Sequence, residues 1–245
     1  MSPFVQIAWA SAIEDAYAAE AQDLNAIGIW SQSRDSTYWF DESGGDRHGT
    51  LGNSPTWSAS GGPRASIPGY FSFNGTTQRV SMGDSSALRL QAHTMVWWER
   101  GGTQADSLAT RIGKGDQSYA VRRNGADNAL RYYVRTGAGS ERVVDITSKS
   151  TTDWQMLIAR WHPAGSNSTL SLHEVDSNGD EQTLGTATVN EITLGASTDA
   201  FAVGAQDNAG TWRRWFQGDI AGVLLFNYAL STAQMEALWT ASGQS

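Results

Sequence analysis

The chain contains no cysteine, which excludes a disulfide framework, a thiolate metal site and a thiol nucleophile. Prolines number only five, and no run of like charge, Gly/Ser-only tract or internal repeat divides the 245 residues; the chain reads as one domain with an N-terminal appendage. Lysine is nearly absent, with Lys114 and Lys149 against 15 arginines. Acidic residues outnumber basic ones to give a net charge of −8, so a phosphate backbone would be repelled over most of the surface and nucleic acid is not an expected partner. No apolar run is long enough to span a bilayer. The stretch FVQIAWASA near the start has the small-residue ending of a signal peptide, but the first basic side chain is Arg34, and we read neither a signal peptide nor a membrane span.

Catalytic and metal motifs are equally scarce. His48, His93, His162 and His173 show no i, i+4 pairing, so a zinc site is not indicated. No G-x-S-x-G elbow and no glycine-rich phosphate loop opening a helix occurs.

What is present is strand texture. Around Trp212–Trp239, the side chains Phe216, Ile220, Leu224, Phe226 and Tyr228 fall on alternate positions, with Gly218 and Gly222 filling the gaps. This predicts a long strand with one buried face. Ser231 with Gln234 three residues on predicts a capped helix over Thr232–Trp239, with Leu230 and Met235 as a hydrophobic staple. Short apolar runs between turn residues predict further strands at Tyr38–Phe40, Gly69–Phe73, Arg79–Met82, Thr94–Arg100, Ser118–Arg123 and Leu130–Arg135, then at Arg142–Ile146, Trp154–Trp161, Thr169–Val175, Gln182–Thr188 and Ala200–Gly204. Asn74-Gly75, Asn124-Gly125 and Asn178-Gly179 mark turns. Ser11–Asn25, rich in Ala and Glu, predicts a helix whose thin apolar stripe must lie on something. The expected organisation is a helical arm over residues 1–26 and a sandwich over residues 27–245.

Several of these segments together resemble a family. Tyr38 to Leu51 is similar to the opening D-x-S-G-N…G-x-L segment of laminin G-like (LamG-like) domains in the concanavalin A-like superfamily. Phe71 to Gly75 with Val80 resembles their F-x-F-[DN]-G…V step, Thr94 to Trp98 their T-[IM]-x-x-W strand, and Gly218–Leu230 their closing signature. The resemblance implies an all-β, two-sheet antiparallel jelly-roll sandwich with a short helix at each end. Such domains serve as glycan-binding, adhesion and structural modules, and the fold also hosts glucanases.

The resemblance implies candidate sites. Glu174 and Asp176 echo the paired carboxylates of laminarinase-type glucanases, where a retaining mechanism needs two carboxyls about 5–5.5 Å apart. The third acid of that pattern is missing and Asn178-Gly179 follows, so the pair is expected in an ordinary hairpin, and the protein is not expected to be an enzyme. Calcium is the candidate ion, with Asp41 and Asn74 as candidate ligands, although Ala221 and Gly222 replace the family's acidic residues and both candidates also suit turns. For a glycan, the expected surface combines one of the adjacent Trp97 and Trp98 with Arg131, Tyr133, Arg135 and Trp161; Trp98 is the member chosen. The functional expectation is a non-catalytic structural or adhesion module of a larger assembly, a capsid decoration or tail protein of a bacteriophage located in the virion, with glycan binding alongside. Its partners would be capsid or tail proteins or its own copies, reached through the N-terminal arm, and a cell-surface glycan. The alternatives are a stand-alone extracellular carbohydrate-binding module and, behind it, a glycoside hydrolase.

Overall fold

A computed structural model describes residues 16–32, 37–101, 107–125, 129–147 and 152–243. In chain order, α1 (Ala16–Asp23) is followed by β1 (Gly28–Trp30), β2 (Tyr38–Trp39), β3 (Gly49–Gly52), β4 (Thr56–Ser58), β5 (Tyr70–Asn74), β6 (Arg79–Gly83) and β7 (His93–Gly101). Next come β8 (Thr110–Lys114), β9 (Tyr119–Asn124), β10 (Ala129–Arg135), β11 (Glu141–Ile146), β12 (Gln155–Ala164), β13 (Asn167–Val175) and β14 (Glu181–Val189). The chain closes with β15 (Phe201–Val203), β16 (Gln206–Asn208), β17 (Thr211–Arg213), β18 (Gln217–Phe226) and α2 (Thr232–Ala241).

The strands form two eight-stranded antiparallel sheets and a separate two-stranded hairpin, β16-β17. The first runs β14-β13-β12-β7-β18-β5-β4 with β1 also on β18, and the second runs β11-β10-β9-β8-β15-β6-β3-β2. The expected all-β sandwich is therefore the fold. Between the sheets lies an aromatic-rich core that includes Trp30, Trp39, Phe71, Trp97, Trp161 and Phe201, where Trp30 and Phe201 stack at 5.8 Å. Among the described residues no helix is long and apolar enough to cross a membrane.

The centre of the first sheet is buried on both faces. Along β7, Met95 and Trp97 enter the inter-sheet core, while Val96 and Trp98 enter a second apolar layer beneath α1 and α2. Nearly unbroken apolar sequence, as in Met95-Val96-Trp97-Trp98, suits a strand with no solvent face.

The long strand β18 departs from the expected single buried face. Phe216 and Ile220 point into the inter-sheet core, but beyond them Val223 and Leu225 take that role, and Leu224 and Phe226 lie under the helices. A bulge between Ala221 and Leu224 causes the switch, because one extra residue in a ladder moves every later side chain to the other face. Gly222 makes the bulge, at φ +52°, and a Cβ there would sit 2.9 Å from Trp98 Cδ1.

Helix α2 carries the expected capping box: the Ser231 side chain accepts from the Gln234 amide and the Gln234 side chain reaches back to the cap. Met235, Leu238 and Trp239 bury its inner face on the outer surface of the first sheet. Of the helix expected over Ser11–Asn25, the part beyond residue 15 lies on the sandwich. Tyr17 and Ala21 are fully buried, Tyr17 Oη donates to the Gly222 carbonyl at 3.0 Å, and Tyr228 Oη donates to Leu24 O at 2.6 Å. This stretch is a lid on its own domain; an arm reaching a partner would have to use residues 1–15, which lie outside the described residues.

His93 gives the fold a pH signature. Its ring packs 4.0 Å from that of Tyr119, with Nε2 paired to the Tyr132 hydroxyl at 2.7 Å, and burial pushes its pKa down from 6.5 to about 3. Between those values the unfolded chain binds a proton that the fold refuses. Stability is therefore complete above pH 6.5 and declines as pH falls toward 3. Burial also holds His173 below its ordinary value, adding in the same direction. Urea-unfolding free energies are expected to be flat above neutrality and to fall from about pH 6.5, with His93→Gln flattening much of the decline before the carboxylates titrate. An unchanged slope in that variant would contradict the assignment.

Candidate functional site

The five expected glycan-contacting residues do not converge. Trp161 is 0% exposed in the inter-sheet core, and its Nε1 donates to Gln91 O at 2.9 Å. Trp98, 1% exposed, is stacked at 5.2 Å on Trp239 of α2; both members of the Trp97-Trp98 pair are inside because the helices supply the second cover. Tyr133 is also fully buried, donating to Gly115 O at 3.0 Å with the Arg122 guanidinium 4.3 Å above its ring. Only Arg131 and Arg135 reach solvent, alternating with Tyr133 on the outer face of the second sheet. Arg131 forms a bidentate pair with Asp145, both bonds 2.7 Å.

The calcium candidates are engaged by the chain itself. Asp41 Oδ1 accepts from the amides of Ile29 at 3.1 Å and Ser43 at 3.0 Å and from the Ser43 hydroxyl at 2.6 Å. Its Oδ2 accepts from the Arg47 amide at 3.1 Å, with the Arg47 guanidinium 3.7 Å away. Asn74 Oδ1 accepts from the amides of Thr76, Thr77 and Gln78. These are turn-forming roles, and among the described residues no three His, Asp or Glu side chains are grouped to hold a metal.

The Glu174/Asp176 pair also falls where an ordinary hairpin puts it, since β13 and β14 pair across Asn178-Gly179 with Gly179 at φ +90°. Asp176 Oδ1 accepts from the amides of Asn178 at 2.8 Å and Asp180 at 3.2 Å, so its carboxylate builds the turn.

Glu174 and Asp176 both border a cleft of about 330 Å³ at the end of the first sheet, where β12 begins and β13 ends. Its principal walls are Arg64, Trp154, Gln155, Glu174 and Trp239. The β12–β13 register sets Leu157 opposite Glu174, and Gln155 Nε2 donates to Glu174 Oε1 at 2.8 Å. The Arg64 guanidinium lies 3.9 Å over the Trp239 ring, a cation–π contact that flattens it against the wall. Trp154 is held by its Nε1 bond to Gly61 O at 3.1 Å, by the Tyr70 edge at 5.3 Å and by Arg100 at 4.8 Å. A fixed indole beside a paired amide and carboxylate offers an apolar wall next to hydroxyl-matching donors and acceptors. A larger open hollow of about 500 Å³ borders Arg89, Gln91 and Ile192. It lacks an aromatic wall, and its two largest polar side chains are engaged: Arg89 with Asp84 at 2.5 Å, Gln91 with the Leu194 backbone at 2.8 Å.

Sequence reasoning missed Arg64, Gln155 and Trp239 as site residues and took Trp154 for the start of a strand. The one local signal was the polar flank of that tryptophan, Asp153 and Gln155. Arg64 belongs to a loop whose return to α2 no periodicity announces.

The two sheets with their helical cover define a β-sandwich, and several solved structures share that fold. The binding domain of Paraclostridial Mosquitocidal Protein 1 is similar, with a TM-score of 0.66 and 13% identity over 89% of this chain and 52% of that one. Domain 4 of AbnA, a GH43 extracellular arabinanase from Geobacillus stearothermophilus, solved in complex with arabinotriose, has a TM-score of 0.61 and 18% identity over 87% of this chain and 97% of that one. The botulinum neurotoxin serotype C1 binding domain has a TM-score of 0.62 and 13% identity over 90% and 52%. The chain thus spans about half the length of the toxin domains, and at these identities the likeness is one of fold. No protein-family profile and no curated protein sequence matches the chain.

Proposed function

We propose that this protein is a non-catalytic, glycan-binding adhesion module whose ligand site is the cleft between Trp154 and the Gln155–Glu174 pair. The observation that carries the reading is that pair, 2.8 Å apart, beside a locked indole in a cleft large enough for one or two sugar units. Two similar structures support it: the arabinanase domain holds arabinotriose, and cell entry of botulinum neurotoxin type C depends on two ganglioside molecules. A LamG-like ancestry belongs to the same proposal. Placement in a phage virion, with capsid or tail proteins as partners, rests on the sequence alone, and detection of the chain in purified particles tests it. A free extracellular carbohydrate-binding module is the alternative.

Calorimetry against neutral oligosaccharides, arabinotriose first, tests the site. Trp154→Ala is expected to weaken binding about tenfold or more, as removal of a stacking wall does, with Trp154→Phe intermediate and no reducing sugar released by any form. Binding that is absent from the parent, or unmoved in Trp154→Ala, would overturn the assignment.

A further inference from the structure

On the second sheet, five arginines gather around three carboxylates. Register places Arg122 of β9 opposite Arg131 of β10, and Arg131 and Arg135 opposite Asp145 and Glu141 of β11. Like charges facing each other across a ladder repel, and the acids of β11 offset only part of that. Glu141 is shared by Arg122 at 3.0 Å, Arg135 at 3.4 Å and Arg131 at 3.5 Å. Asp116 is shared again: Arg214 Nη1 stands 2.7 Å from its Oδ1, and Arg213 and Arg135 stand 3.2 Å and 3.8 Å from its Oδ2. The Arg122 guanidinium is held below its ordinary pKa, first by burial, with Arg214 and Arg131 among the lesser causes. This local positive surplus sits on a chain whose net charge is −8.

Two further observations point outward. Arg214 holds a left-handed backbone at φ +60°, a conformation that costs a non-glycine residue of order 1 kcal/mol or more and persists where surrounding contacts fix it. The side chains of Arg213 and Arg135 remain 39% and 25% exposed. Arg213 and Arg135 therefore converge on one carboxylate; Arg135 is also tied by its Nε to Asp116 O at 2.8 Å, so Arg213, the more exposed of the two, is the arm best placed to meet a second anion.

We propose that this arginine face is a second ligand site, taking the carboxylate or sulfate of an acidic polysaccharide. The inference rests on the glycan-binding reading for the polymer's chemistry but not on the cleft for its location.

The test measures three probes, an oligogalacturonate, a sulfated oligosaccharide and arabinotriose, against the parent, Arg213→Glu, Arg135→Gln and Trp154→Ala, with thermal melts as a check of folding. An acidic probe is expected to bind the parent, to lose affinity as salt rises, and to weaken roughly ten- to hundredfold in Arg213→Glu and less in Arg135→Gln, the range for a lost charge-assisted hydrogen bond. Trp154→Ala is expected to leave it unchanged. Acidic probe that binds the parent but responds only to Trp154→Ala would overturn the arginine site while keeping the glycan reading. Arabinotriose binding without any acidic binding would do the same. Polyglutamate competing as well as the sugars would replace the polysaccharide with an acidic protein, and loss of all sugar binding would remove both proposals.

Discussion

Replacing Trp98 with alanine is expected to cost the domain about 3–5 kcal/mol, the range for truncating a buried aromatic. The magnitude should sit at the upper end, because Trp98 is shared by three elements. It belongs to β7, it stacks on Trp239 of α2 at 5.2 Å, and Arg64 lies 5.5 Å over its ring. The cavity cannot close by collapse, since β7 is pinned on both sides by β12 and β18. For a domain of this size each kcal/mol moves the melting temperature by about 2–4 °C, so a shift of about 6–20 °C is expected by calorimetry. Because Arg64 and Trp239 wall the cleft, sugar binding should weaken with it, whereas Trp161→Ala, of similar thermal cost, should leave the cleft's walls in place. Equal loss of binding in both variants would mean that the cleft responds to general loosening and not to this packing.

How far the sequence is legible follows from which physical signals are local. Alternation marked the long strand β18 and the cap at Ser231, because side-chain period and capping are set within a few residues. The bulge at Gly222 was not legible: a glycine in an alternating pattern can be a gap in a buried face or a left-handed residue, and only the fit against Trp98 and Tyr17 distinguishes them. Strands β1, β3, β4, β8, β16 and β17 escaped because each is short, and in β3 and β8 Gly49, Gly52 and Gly113 dilute the apolar signal. The exposed-tryptophan argument for Trp98 failed for a tertiary reason, the helices that cover the first sheet. Arg131 and Arg135 could be placed together by strand parity, but the arginines that complete their surface, Arg213 and Arg214, come from a hairpin and a loop about 80 residues later.

Removing residues 1–25 is expected to lower the melting temperature by an amount comparable with the Trp98 change, and removing residues 1–15 to lower it far less. Helix α1 has little intrinsic stability, being eight residues long, so its order comes from what it covers. Tyr17, Ala18 and Ala21 close the apolar layer over Ile29, Val96, Ala221 and Leu224, and the Tyr17 hydroxyl satisfies the carbonyl that the bulge at Gly222 turns outward. Deleting the helix exposes that layer and orphans that carbonyl together; Tyr17→Phe isolates the second effect, for which about 1 kcal/mol is expected. Assembly through an N-terminal arm makes a separate demand. If residues 1–15 recruit partner proteins or further copies of the chain, the shorter deletion abolishes assembly, measured by light scattering and co-purification, while the melting temperature stays near the parent's. A 1–25 deletion that melts with the parent would refute the lid, and a 1–15 deletion that still assembles would refute the arm.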